Sequence, residues 1–335
     1  MILIDATFVN SKGGITVFKK IIDSIDIVHR SKFILFVDKR LVGKYSFFHE
    51  FEYYPSSGFF YRILLFQKIK NRVSTILSLG NVPLILTNKS YQITYIMQLL
   101  LFKRDNINLR DKLTWFIKSI IIKLLFYFSN SDAAVQTQTI KDLISKKFNL
   151  INEKILLFPV FEELSKTKNI INYNKFFYPS SGEEYKNVDF LIDVFLEYIK
   201  VYKGSTLYLT ISKKYKMLYH KLKSLNSNNI INLEEIKHSE VLKIINENVI
   251  IIHPSSVESF GLVLLESSYS GNLIIAPNIK YVYDVCKPSI TFKENDKDDL
   301  LEKLNLLKEK KLLGSKPKIQ NKSKDLIKYL ISKLD

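Results

Sequence analysis

The chain has 335 residues, 47% of them hydrophobic. That suffices for two domains with real cores and excludes a disordered chain. The formal net charge is +17, and residues 1–160 carry 23 Lys and Arg against 11 Asp and Glu while the remainder carries 27 against 22. Such basicity suits an anionic membrane, a polyphosphate ligand, nucleic acid or a plain lysine-rich solvated surface.

The single cysteine, Cys286, excludes an intrachain disulfide and a cysteine-held zinc, and fits a reducing cytoplasm. The opening MILIDATFV carries Asp5 and no basic stretch, so it reads as a strand and not a signal peptide. Apolar runs predict further strands at residues 33–37, 75–79, 93–96 and 133–135, with helices at 16–27 and 113–128. Strands alternating with helices imply a doubly wound parallel sheet. The stretch from Trp115 to Phe128 is too short to span a bilayer and is broken by Lys118 and Lys123. Trp115, Phe116, Ile120, Leu124 and Tyr127 are expected on one side, with Lys118 roughly opposite and Lys103, Arg104, Arg110 and Lys112 ahead of them. Two readings stand: a helix lying on anionic lipid, or a buried helix with snorkelling lysines.

A polar seam at residues 161–174 separates a second αβ region. Strands are predicted at 176–178, 207–209, 230–231, 248–252 and 273–276, and a helix at Val188, Leu191, Ile192, Phe195, Leu196 and Ile199. The acids of Asp296-Lys297-Asp298 precede a helix expected near Leu300, where negative charge is favoured electrostatically, so no metal is expected there. A last amphipathic helix is expected at 326–334. The domain expectation is 1–160, 173–315, and a C-terminal segment 316–335 crossing back to the first domain.

The segment IHPSSVESFGLVLLESSYSG, residues 252–271, is the most informative. It reads as strand, Ser-rich loop, and a helix opening at Gly261 and closed by Gly271. In an open α/β sheet such a helix start lies at the ligand-binding edge. The backbone N–H groups of Phe260, Gly261 and Leu262 are then aimed at an anion, and Gly261 permits close approach. Glu258 sits beside that anion and Glu266 more than a turn into the helix. A diphosphate flanked by two polyol-binding carboxylates describes a nucleotide sugar. Lys186, ahead of a helix that Asn187 is placed to cap, and the Gly13-Gly14 turn after the first strand are further phosphate candidates.

The run Pro254-Ser255-x-x-Glu258-Ser259-Phe260-Gly261-Leu262-x-Leu264-Leu265-Glu266 resembles the signature of the retaining glycosyltransferases of family 4, of GT-B fold. Tyr178-Pro179-Ser180-Ser181 with Lys186-Asn187, the stretch from Ser131 to Thr137, and Gly13-Gly14 are similar to other parts of that family. The resemblance implies two Rossmann-like domains facing across a cleft, and retaining, metal-independent transfer of a hexosyl group without a cofactor. The implied partners are a nucleotide sugar, a lipid-linked glycan acceptor and an anionic membrane surface, with no nucleic acid; the implied location is cytoplasmic, peripheral on the inner membrane face. By resemblance Glu258 and Lys186 are catalytic. Ser180, Ser181, Ser259, Phe260, Gly261, Leu262, Gly13 and Gly14 bind the donor, Glu266 holds its ribose, and its base lies near Leu233 to Ile236. Two departures matter. Ser180 and Ser181 stand where many members have an Arg, and Gln98 stands on the acceptor side where many have a His. They leave open the alternative of a catalytically degenerate GT-B protein that binds a nucleotide sugar or a partner without turnover.

Overall fold

A computed structural model describes residues 1–87, 89–102, 109–163, 171–309 and 312–334. Among these, residues 1–162 and 320–334 form one compact unit and residues 163–319 a second.

In the first unit the chain runs β1 (Ile2–Ala6), α1 (Lys12–Asp23), β2 (Phe33–Asp38), β3 (Glu52–Ser56), α2 (Phe59–Ile69), β4 (Thr75–Leu79), β5 (Tyr91–Tyr95), α3 (Leu109–Ser129), β6 (Asp132–Val135), α4 (Gln138–Phe148) and β7 (Ile155–Leu157). The sheet order is β3-β2-β1-β4-β5-β6-β7, parallel throughout. Its central strands are apolar on both faces because both are covered. One face packs α1, through Val17, Phe18 and Ile21, and the other packs α2, through Ile63 and Phe66. Asp5, at the end of β1, is fully buried against Arg62 of α2 at 2.8 Å.

The second unit runs β8 (Lys175–Tyr178), α5 (Val188–Val201), β9 (Thr206–Leu209), α6 (Lys216–Leu225), β10 (Ile230–Asn232), α7 (His238–Asn246), β11 (Ile250–Ile252), α8 (Leu262–Ser270), β12 (Ile274–Pro277), α9 (Lys280–Val285), β13 (Cys286–Lys287), β14 (Ile290–Phe292), α10 (Lys297–Glu309) and β15 (Lys316–Pro317). Six strands form a parallel sheet in the order β10-β9-β8-β11-β12-β14, and β13 and β15 make a separate antiparallel pair. The final helix, α11 (Ser323–Ile331), buries Leu326, Ile327 and Leu330 in the core of the first unit. Each sheet reverses its strand order once, between β1 and β4 and between β8 and β11. These switch points are where such folds leave a crevice at the carboxyl edge. Two parallel doubly wound sheets are the fold class expected from the sequence.

Local differences from the expectations have physical causes. α1 begins four residues early because the Ser11 side chain caps it, accepting from the Gly14 amide. α10 begins at Lys297 because Asp296 Oδ1 accepts from the Asp299 amide. On α3, Lys118 does not lie opposite Trp115: its ammonium stacks over the indole at 4.4 Å, as neighbours three apart on a helix do. Nor is α3 a buried helix. Only Ile122 and Phe126 are buried on it, while Phe116, Ile120, Leu124, Tyr127 and Phe128 are 45–80% exposed. Lys103 and Arg104 lie outside the described residues, as does much of the expected 161–174 seam. No helix among the described residues is long and apolar enough to cross a membrane.

Candidate active site

The site forms where β8 and β11 lie side by side, in register at Ile250 and Phe176. Their loops leave the same sheet edge and are stitched together. The Ser256 amide donates to Tyr185 O at 3.0 Å. The Tyr178 hydroxyl donates to Lys186 O at 2.9 Å, folding the first loop back on its strand. Asn187, in the left-handed region at φ 54°, precedes α5 but makes no side-chain cap to it. Its amide instead reaches Pro254 O at 3.0 Å, Ser256 Oγ at 2.9 Å and Asn295 Oδ1 at 3.0 Å. The capping role expected for Asn187 is therefore replaced by a cross-loop tie.

That tie brings Lys186 and Glu258 together. Lys186 Nζ lies 2.5 Å from Glu258 Oε1, with side chains 18% and 13% exposed. Burial alone raises the Glu258 pKa, but the Lys186 ammonium and the His253 contact outweigh it and hold it down at about 2. His253 is buried between the Tyr178 and Tyr281 rings, its Nε2 3.5 Å from Glu258 Oε1. Burial pushes the His253 pKa below its usual value, so the imidazole is neutral and Lys186 is the charge that matters. The Tyr281 hydroxyl donates to Ser255 O at 2.6 Å and fixes the loop ahead of Glu258.

Ser259 and buried Phe260 lead into α8, whose cap residue Gly261 has φ 73° and ψ 52°. That conformation costs a side-chain-bearing residue energy. The first α8 amides have no acceptor within the helix, so the turn at Leu262 presents donors at the sheet edge. Gly271, with φ 82°, caps the far end. Glu266, on α8, is buried, and its Oε1 lies 2.7 Å from Nε2 of His238, the first residue of α7. No local pattern singles out His238, since its contact joins residues 28 apart on two different helices.

The remaining candidates lie nearby or in the other unit. The Ser180 amide donates to Thr210 Oγ1 at 3.0 Å, which closes the loop onto β9. Exposed Ser181 donates through its hydroxyl to Glu183, whose other oxygen accepts from the Tyr215 hydroxyl at 2.6 Å. The loop thus holds a carboxylate near the place of the missing Arg. Ile236 is half-buried in the loop after β10. In the first unit, Gly13 and Gly14 form the first turn of α1. Gly14 is the constrained one: a Cβ there would sit 3.0 Å from Ser11 Oγ, and its amide is already engaged by that oxygen. Gln98 follows β5 and is half-buried.

Solved structures share the fold at low identity. Sucrose-phosphate synthase from Thermosynechococcus elongatus has a TM-score of 0.71 at 12% identity, with 92% of this chain and 89% of that one covered. Anabaena Alr3699/HepE in complex with UDP and glucose has 0.67 at 13%, with 92% and 89% covered. WaaG, a glycosyltransferase involved in lipopolysaccharide biosynthesis, has 0.61 at 12%, with 92% and 91% covered. Against the longer S. aureus TarM, in complex with UDP and alpha-GlcNAc-glycerol, the TM-score is 0.58 at 16% identity over 74% of this chain, which spans about half (51%) of that protein's length. No curated protein matches in sequence. The model of the family described as glycosyl transferases group 1 matches residues 160–329, half of the chain, including β8, β11, Lys186, Glu258 and Glu266. The chain belongs to the group 1 glycosyltransferases.

Proposed function

We propose that this group 1 glycosyltransferase is a retaining, metal-independent hexosyltransferase. It moves a sugar from a nucleotide donor to a lipid-linked oligosaccharide or polysaccharide acceptor in cell-surface glycan synthesis. The observation that carries the reading is the buried Lys186–Glu258 pair at the β8/β11 switch point, just ahead of the α8 start.

Transfer breaks the bond from the anomeric carbon to the diphosphate and forms one to an acceptor hydroxyl, whose proton passes to the departing diphosphate. Negative charge gathers on the leaving diphosphate, and positive charge on the anomeric carbon. Lys186 and the amides opening α8 are fixed donors for the first. Glu258, ionised down to about pH 2, faces the second. Ser259, Phe260, Gly261 and Leu262 shape the diphosphate turn, Ser180 and Ser181 the loop beside it, and Glu266 takes the ribose. The base lies against the Leu233 to Ile236 loop. Gly13 and Gly14 are assigned to the donor and Gln98 to the acceptor. The HepE complexes with UDP and UDP-glucose support a nucleotide-sugar donor by analogy of fold, and WaaG supports a surface-glycan context.

The exposed apolar side of α3, with Lys118 and Lys123 on the same helix, suits docking on an anionic bilayer. We assign the protein to the cytoplasmic membrane face on that ground. A second reading, binding without turnover, is favoured by Gln98 and by Glu183 standing beside Ser181. A thermal-shift panel of UDP, GDP and dTDP sugars, followed by hydrolysis assays, separates them. Stabilisation with turnover that Glu258→Ala abolishes supports the transferase; stabilisation without turnover supports the second reading.

A further inference from the structure

The Glu266 carboxylate is 2% exposed, and its two oxygens have different fates. Oε1 meets His238 Nε2 at 2.7 Å. Oε2 is buried with no hydrogen-bond partner. A buried carboxylate oxygen in that state is destabilising until a donor reaches it. His238 opens α7 after β10, and Glu266 lies one turn into α8 after β11; both helices start at the sheet edge that carries Lys186 and Glu258. The His238 side chain is 35% exposed, so the pair borders solvent through the imidazole.

We propose that His238 is a positioning residue that makes this site select ribose over deoxyribose. Its Nε2–H holds Oε1, fixes the plane of the carboxylate, and leaves Oε2 as the oxygen still lacking a donor, which a ribose hydroxyl of the donor nucleotide satisfies on reaching it. This rests on the donor reading of the Glu266 site given above. Without His238 both oxygens compete for the hydroxyls, the carboxylate is free to rotate, and the geometric preference for a 2′-hydroxyl is lost. Gln places an amide N–H at nearly the same reach and restores the clamp in part.

The test is calorimetric titration of the full chain with UDP and 2′-deoxy-UDP, and with GDP and 2′-deoxy-GDP. Wild type, His238→Ala and His238→Gln are compared. One well-placed hydrogen bond corresponds to about tenfold in affinity. Wild type is therefore expected to prefer the ribonucleotide by about that factor. His238→Ala should bring the ratio close to one, mainly by weakening ribonucleotide binding, and His238→Gln should recover part of it. Equal loss for both sugars in His238→Ala indicates a merely structural role and overturns the proposal, as does an unchanged ratio. Wild-type binding without ribose preference also overturns it, while leaving the donor site standing. Failure of every nucleotide to bind overturns both.

Discussion

Replacing Lys186 by Met keeps the aliphatic stem and removes only the charge. Glu258 is then left buried and unpaired. The partnered carboxyl is held at about 2 against an ordinary 4.5, a difference equivalent to roughly 3 kcal/mol. With side chains only 13% and 18% exposed, solvent screens little of this, and removing one member of a buried pair costs about the same by general experience. Calorimetry of Lys186→Met at pH 7 should show the unfolding transition of the second unit lowered by roughly 6–12 °C. The pH dependence has a definite sign. In wild type the contribution of a depressed carboxyl is complete above 4.5 and is lost as pH falls toward 2. In the variant, burial raises the Glu258 pKa, so the penalty is greatest at neutral pH and fades as the carboxyl protonates on acidification. The gap between the two proteins therefore narrows from pH 7 to pH 3. Lys186→Met combined with Glu258→Gln should regain at least half the loss. A small shift of about 1–2 °C, equal at pH 7 and pH 4, would mean instead that the two charges are independently solvated.

Glu258→Gln preserves shape, so nucleotide affinity should change by less than about threefold while turnover falls roughly 100- to 1000-fold; steady-state kinetics giving an unchanged kcat would exclude a role at the anomeric carbon. In Gly261→Ala the new Cβ has room, 3.4 Å from Leu264 Cδ1, so the cost arises from φ alone. It should be about 1–2 kcal/mol in denaturant titrations, with weaker diphosphate binding, and a neutral result would show that the α8 start does not need its left-handed cap. Flotation with vesicles containing phosphatidylglycerol should retain wild type at low salt. Lys118→Glu with Lys123→Glu should lose about 1 kcal/mol per lysine removed, and Phe116, Ile120 and Leu124 changed to Ser should lose more; retention unchanged in both variants would remove α3 from any membrane role.

The second unit was the more legible half, for a physical reason. Its central strands β8, β11 and β12 are short, mostly buried apolar runs, and its punctuation is chemically explicit, as in Gly271 at φ 82° closing α8. The first unit hid β3, because an edge strand tolerates Pro55 and exposed residues and so lacks an apolar run. It hid β7, which has three residues, and the true start of α1, set by Ser11 rather than by apolar spacing. At the site, Lys186, Glu258 and the α8 turn could be singled out because residue type and local order carry their chemistry. Asn187 tying two loops and His238 holding Glu266 could not, since each depends on which segments the folded sheet brings into contact.

Where a bound donor sits decides whether the β8/β11 loops form the nucleotide-sugar site. A crystal structure should be determined with whichever UDP, GDP or dTDP sugar gives the largest thermal shift. Density is expected for a diphosphate against Lys186 and the amides at Gly261 and Leu262, with a ribose hydroxyl on Glu266 and the sugar beside Glu258. A nucleotide bound elsewhere, with the Lys186–Glu258 pair unchanged and Glu266 untouched, would contradict that assignment.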